Sequence, residues 1–256
     1  MLLTMDIGNT CITLGIFKGQ ELVCLIRLST DRDRTGDQYA VDLKNQLELN
    51  GLSPTAFDGA ILSSVVPALV RAMKQAVKKV LGIEALSVGP GTKTSLNIRI
   101  DNPAQLGADL VAGAVAAIDK YPLPCIIFDL GTANTISVLN EKGEFLGGTI
   151  SAGMGISLDA LASRTSQLPY VGLDAPDKVI GSNTISSMKS GLIYGTAAMM
   201  DGMADRIERE LKKKATLVAT GGRAAQVVEY CQRDVILDSE LLLHGLRLIY
   251  EKNKKS

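Results

Sequence analysis

The chain has 256 residues, 46% hydrophobic and 21% charged, with Lys+Arg and Asp+Glu equal at 27 each. That apolar fraction is enough to bury a sizeable core in one large domain or two ordinary ones, and it excludes a disordered chain. Zero net charge gives no electrostatic reason to expect nucleic acid or an anionic membrane as a partner. Apolar runs such as Cys125-Ile126-Ile127-Phe128 have the length of a buried strand and are far too short to cross a bilayer.

The first strand is expected at Leu2 to Ile7, a second at Ile12 to Phe17, a turn at Lys18-Gly19-Gln20, and a third strand at Glu21 to Leu28. The stretch Met1 to Asp6 has no basic region and is not expected to be a signal peptide. After a polar stretch, Asp37 is expected to cap a helix to about Leu49, stopped by Asn50-Gly51. Gly59 to Val65 reads as a strand, Pro67 opens a helix to about Leu81, and Ala85 to Val88 is a short strand ending at Gly89-Pro90-Gly91. A new organisation begins near Asn102-Pro103, with an alanine-rich helix over 105–119 and a strand at Cys125 to Asp129. Strands at Thr135 to Leu139 and Glu144 to Gly148 flank the turn Glu141-Lys142-Gly143. Helices are expected at about 155–165 and 183–213, then a strand Leu217-Val218-Ala219, a loop Thr220-Gly221-Gly222 and a further helix. A last amphipathic helix runs from about Glu240 to Lys252. Its single histidine, His244, sits among apolar residues and reads as a packed bystander. Cys11, Cys24, Cys125 and Cys231 lie far apart without a Cys-x-x-Cys pair, and are expected to be reduced thiols of a cytoplasmic protein.

Two segments repeat each other. Asp6-Ile7-Gly8-Asn9-Thr10, strand, Lys18-Gly19, strand is echoed by Asp129-Leu130-Gly131-Thr132, strand, Lys142-Gly143, strand. Four features recurring in one order indicate an internal duplication, and hence two α/β halves facing each other across a cleft. A glycine after the strand-terminal acid allows a tight turn and close approach of a phosphate. Exposed amides and the side chains of Asn9, Thr10, Thr132 and Thr135 are donors for phosphate oxygens. An acid cannot touch phosphate directly but can hold a cation, so Asp6 is a candidate for Mg2+ and Asp129 for a second cation. One such hairpin would be an ordinary turn; two in matched settings favour ATP phosphates. Thr220-Gly221-Gly222 is a third glycine loop, placed to pass beside the adenosine. Asp109 follows Gly107-Ala108 at the start of the alanine-rich helix, where spacing alone makes it a capping charge. Facing the site, it would accept the proton of an attacking hydroxyl.

Together these residues resemble the type III pantothenate kinases, members of the acetate/sugar kinase–Hsp70–actin superfamily. The resemblance spans nearly the whole chain. It includes Asp6-Ile7-Gly8-Asn9-Thr10, Arg27-Leu28-Ser29-Thr30-Asp31-Arg32, Ser63-Ser64-Val65-Val66-Pro67, Gly89-Pro90-Gly91-Thr92-Lys93-Thr94, Gly107-Ala108-Asp109, Asp129-Leu130-Gly131-Thr132, Asn183-Thr184 and Thr220-Gly221-Gly222. It implies duplicated ribonuclease H-like, actin-like ATPase domains with a cleft between them: 1–101 with the first phosphate loop, and 102–256 with the second phosphate loop and the adenosine loop. It implies ATP-dependent phosphorylation of pantothenate to 4'-phosphopantothenate, the first step toward coenzyme A. A homodimer with substrate near the subunit interface, Mg2+, and a monovalent cation (K+ or NH4+) come with it, with no nucleic-acid or membrane partner. Residue by residue, Asp6, Ile7, Gly8, Asn9, Thr10, Cys11, Ile12 and Thr13 match the first ATP loop and Thr132 a further ATP contact. Asp109 matches the proton acceptor and Asp129 the monovalent-cation ligand. Gly107, Ala108, Asp109, Leu110 and Thr184 match the pantothenate site.

The chain departs from the family pattern at Leu110 (arginine), Gly113 (asparagine), Ile100 (tyrosine), Ala152 (proline) and Asn134 (threonine). An arginine paired with the acceptor's carboxylate is worth about 1.5–3 kcal/mol, which Leu110 cannot supply. Three readings stay open on the sequence: a pantothenate kinase, a kinase for another small alcohol, and a nucleotide-binding regulatory paralogue with weakened or no turnover.

Overall fold

The computed structural model describes residues 1–254. The first strands are β1 (Leu2–Ile7), β2 (Cys11–Lys18) and β3 (Glu21–Ser29), followed by α1 (Gly36–Leu49), β4 (Gly59–Ser64), α2 (Pro67–Leu81) and β5 (Ala85–Ser87). After the short β6 (Asn97–Ile98) come α3 (Ala108–Lys120), β7 (Cys125–Leu130), β8 (Ala133–Leu139) and β9 (Glu144–Ala152). The chain ends in α4 (Met154–Arg164), α5 (Thr184–Leu211), β10 (Thr216–Thr220), β11 (Ile236–Leu237) and α6 (Leu241–Asn253). Two compact units result, one of residues 1–96, 102–116 and those from 241 onward, the other of residues 97–101 and 117–240. The division therefore falls inside α3 and returns α6 to the first unit, rather than running as one cut at 101/102.

The first sheet has the order β3-β2-β1-β4-β5, with β1, β2 and β3 antiparallel and β1, β4 and β5 parallel. The second has β9-β8-β7-β10-β11 in the same order and the same senses, with β6 added outside β9. This is the ribonuclease H-like topology twice over, and the repetition extends to detail. Both meanders carry a bulge at the equivalent place, leaving Val23 extra on β3 and Leu146 extra on β9. The turn glycines Gly19 and Gly143 have φ of +63° and +72°. β1 and β7 share one burial pattern, in which the aspartate is the less buried residue near the strand end.

Alternation along each strand decides what faces the site. Leu3, Met5 and Ile7 join Tyr39 and Leu43 of α1 and Leu69 and Met73 of α2 in one core. Leu2, Thr4 and Asp6 therefore lie on the opposite face, where Leu243 of α6 packs over Gly15, the cross-strand partner of Thr4. In the second unit, Ile126, Phe128 and Leu130 join Met154 and Leu158 of α4 and Met188, Leu192 and Ile193 of α5, which turns Asp129 to the far face.

Three sequence expectations need correction. Asp37 is not the cap of α1: Thr35 is, in a capping box with Gln38, while Asp37 sits in the first turn and pairs with Lys79 at 3.0 Å. The alanine-rich helix begins at Ala108 rather than 105, because Pro103–Gln105 form a 3-10 turn and Leu106 is extended. The helix expected directly after Gly222 does not form. The Arg223 amide bonds to Leu130 O at 3.0 Å, and the chain continues as two 3-10 turns, Ala224–Gln226 and Val228–Tyr230. The four cysteines are free, and no described helix is long and apolar enough to cross a membrane. His244 packs edge-on to Phe17, ring centroids 5.2 Å apart.

Candidate active site

In the first unit the parallel strands β1, β4 and β5 end on one side, the usual position for a ligand crevice in an open α/β sheet. Asp6 stands there at the end of β1. It pairs in register with Thr13 of β2 and with Ser63 of β4, and the Ser63 hydroxyl donates to Asp6 Oδ1 at 2.7 Å. Asp109, in the first turn of α3, lies near enough for the two carboxylates to repel. Burial pushes the Asp6 carboxyl up to about 6; the Ser63 hydrogen bond opposes this and the Asp109 charge adds to it. Burial likewise raises Asp109, against the amides of Leu110 and of Asp109 itself. Its Oδ1 is buried and has no hydrogen-bond partner in the described residues. Gly107 makes that placement possible, because any side chain there would strike the Asp109 carboxylate.

The first loop is closed from within. Gly8 N donates to Cys11 O at 3.0 Å, as Gly131 N donates to Ala133 O at 3.1 Å in the second loop. The glycine amides are thus spent on the tight turns, leaving other amides of the loops to face phosphate. Ile7 and Ile12 are core side chains that pair with each other across β1 and β2, and Ile7 O accepts from Val65 N at 3.1 Å. Cys11 and Thr13 are half-buried, while Asn9 and Thr10 are exposed at the tip. The segment after β3 braces this tip: Thr30 Oγ1 donates to Gly8 O at 2.8 Å, and Arg32 Nη2 to Asn9 Oδ1 at 2.8 Å. Arg32 brings a guanidinium to the loop that sequence reasoning assigned no role.

In the second unit Asp129 has the same two kinds of neighbour, Thr135 of β8 and Thr220 of β10, both in register. The third glycine loop lies directly on it. Gly221 has φ +93°, and a Cβ there would collide with the Asp129 carboxylate and the main chain of Leu130. Thr132 is exposed at the loop tip, and its carbonyl accepts from Gly153 N at 3.1 Å, the residue that opens α4. Thr184 is exposed at the start of α5, next to a capping box between Asn183 and Ser186. Leu110 and Ala108 are half-buried on α3.

The substituted positions are absorbed by packing. A Cβ on Gly113 would stand 3.7 Å from Leu242 of α6, next to the crossing where Gly245 meets the Ala112 main chain. Asn134 is buried and its amide donates to Ala152 O at 3.4 Å, which links two of the departures. Ile100 packs beside Gly147.

No group of three or more His, Cys, Asp or Glu gathers among the described residues. One or two carboxylates are what Mg2+ takes from protein when nucleotide phosphates supply further ligands, and Asp6 at the end of β1 fits that donor set.

A model of the type III pantothenate kinase family matches residues 2–206. A type III pantothenate kinase of Moorella thermoacetica is 42% identical over 253 residues, 99% of this chain and 100% of that one. Another, of an Exiguobacterium species, is 44% identical over 255 residues and covers both chains completely. In fold, the chain is similar to the activator of 2-hydroxyisocaproyl-CoA dehydratase from Clostridium difficile, solved with bound ADPNP, at TM-score 0.55 and 15% identity over 100% of this chain and 98% of that one. A family match over most of the chain and full-length relatives above 40% identity agree with the doubled topology, and the chain belongs to the type III pantothenate kinase family.

Proposed function

We infer that this chain transfers the γ-phosphoryl group of ATP to the hydroxyl of pantothenate, giving 4'-phosphopantothenate, the first step toward coenzyme A. Within a chain of this family, the observation that carries the reading is the Asp6–Asp109 pair, with one buried Asp109 oxygen left without a partner. Phosphoryl transfer asks a protein mainly for positioning and charge neutralisation. Asp109 accepts the proton of the pantothenate hydroxyl as that oxygen attacks phosphorus. Burial supports this role, since it makes the carboxylate more basic. Asp6 faces the metal side, and bound Mg2+ supplies neutralisation of the phosphate charge. Asn9, Thr10 and Thr13 serve the first ATP loop and Thr132 the second. Gly107, Ala108, Leu110 and Thr184 border pantothenate.

Asp129 is assigned to a monovalent cation, K+ or NH4+. The hydroxyl residues Thr135 and Thr220 in register on either side support an oxygen-rich site. A homodimer is favoured by exposed apolar side chains in the second unit, among them Ile180 at 87%, Ile150 at 77% and Tyr170 at 67% exposure. The free cysteines accord with a cytoplasmic enzyme. The test is Asp109→Ala. Its kcat should fall about 10^2- to 10^4-fold with nucleotide binding kept, whereas unchanged kcat would remove Asp109 from the reaction.

A further inference from the structure

The strand-end segment Ser63-Ser64-Val65-Val66-Pro67 has no role in the transfer step described above. Ser63 is completely buried, although it is polar and directly follows the apolar run Ala60-Ile61-Leu62 of β4. A buried hydroxyl needs a partner. Its partner is Asp6 Oδ1 at 2.7 Å, reached across 57 residues of sequence through the parallel pairing of β4 with β1. On the other side of Asp6, in register, is Thr13. Directly paired residues share a sheet face, so the three side chains form a row about 4.8 Å apart, with the carboxylate in the middle. The second unit repeats the row as Thr135, Asp129 and Thr220, and Thr220 is again fully buried.

We propose that Ser63 is the positioning residue of the first phosphate loop: its hydroxyl fixes one carboxylate oxygen of Asp6 and so directs the other toward the nucleotide-bound metal. The proposal rests on the assignment of Asp6 to the metal side. A serine hydroxyl has one hydrogen to give, and giving it to Oδ1 leaves the Asp6 carboxylate a single orientation, whose cost is met during folding rather than at binding. Without that bond the carboxylate can rotate about its last torsion, which is broad and roughly two-fold.

The experiment compares wild type, Ser63→Ala, Ser63→Thr and Asp6→Asn in calorimetric titrations with a non-hydrolysable ATP analogue, with Mg2+ and with EDTA, alongside steady-state kinetics. The expected result for Ser63→Ala is about tenfold weaker binding of the Mg2+–nucleotide, in line with one hydrogen bond to a charged group. Binding in EDTA and the KM for pantothenate should be unchanged, and Ser63→Thr should restore most of the loss. Equal weakening of Ser63→Ala with and without Mg2+, or no weakening, overturns the proposal. If Asp6→Asn loses the Mg2+ effect while Ser63→Ala keeps it, this inference falls alone. If Asp6→Asn keeps it, the assignment of Asp6 falls and takes this inference with it.

Discussion

Asp6 is a carboxylate held where its surroundings disfavour its charge. Its folded value of about 6 exceeds the ordinary 3.8. The contribution of this group to folding is therefore full below 3.8 and is lost as pH rises through about 6, at ~1.4 kcal/mol for each pH unit between those two values. Asp6→Asn should accordingly stabilise the ligand-free protein at pH 7.5 by about 1–3 kcal/mol, read by urea unfolding, while abolishing turnover. A destabilised variant would show that the charged form is welcome in the empty site. Asp6 stands out in the sequence as a strand-end acid before a glycine, whereas Asp109 reads by spacing alone as a capping charge and is singled out only by the family resemblance. The hydroxyl that holds Asp6 was not legible there, because strand register between residues 57 apart is a tertiary fact. Nor was the loss of the Gly8 and Gly131 amides to their own turns, which depends on loop length rather than composition.

The glycine loop after β10 shows how an element acquires meaning only from its neighbour. Thr220-Gly221-Gly222 alone is a common strand exit, yet Gly221 lies against Asp129 and Leu130 with φ +93°. Gly221→Ala should cost about 1–3 kcal/mol of stability and weaken nucleotide binding at least several-fold. Gly222→Ala, where a Cβ meets nothing within 4 Å, should be close to neutral in the same melting and binding measurements. Equal effects at both sites would contradict the packing account. At the far end of α5, burial alone would raise the nearly buried Glu208. Its bonds to Arg233 at 2.7 Å, Lys214 at 2.7 Å and the Ala215 amide at 3.1 Å outweigh this and hold it at about 2. Its stabilisation is present above the ordinary 4.5 and is lost as pH falls toward about 2. Glu208→Ala should destabilise the second unit by about 1–3 kcal/mol at pH 7, with the deficit shrinking in acid unfolding experiments. Helix boundaries came within a few residues of the sequence expectation where apolar periodicity was strong. They failed after Gly222, where the Arg223 amide is claimed by β7 instead of a helix.

Over the whole chain, the duplication was legible because sequence repeats mark it, and the structure deepens it to strand order, bulge position and burial pattern. Membership of the last helix was not, since α6 follows the second unit in sequence yet packs on the first sheet, with Tyr250 over Gly59 and Gly245 against α3. Of the positions that depart from the family pattern, Ile100 packs beside Gly147, Asn134 of the second loop bonds Ala152 O, and Gly113 lies beside Leu242 of α6. The central claim is that the chain phosphorylates pantothenate, and a coupled assay of ADP release with ATP, Mg2+, K+ and pantothenate tests it most directly. The account predicts pantothenate-dependent turnover with 4'-phosphopantothenate as product, lost in Asp109→Ala while that variant still binds nucleotide. Wild-type turnover no higher than that of Asp109→Ala would contradict it.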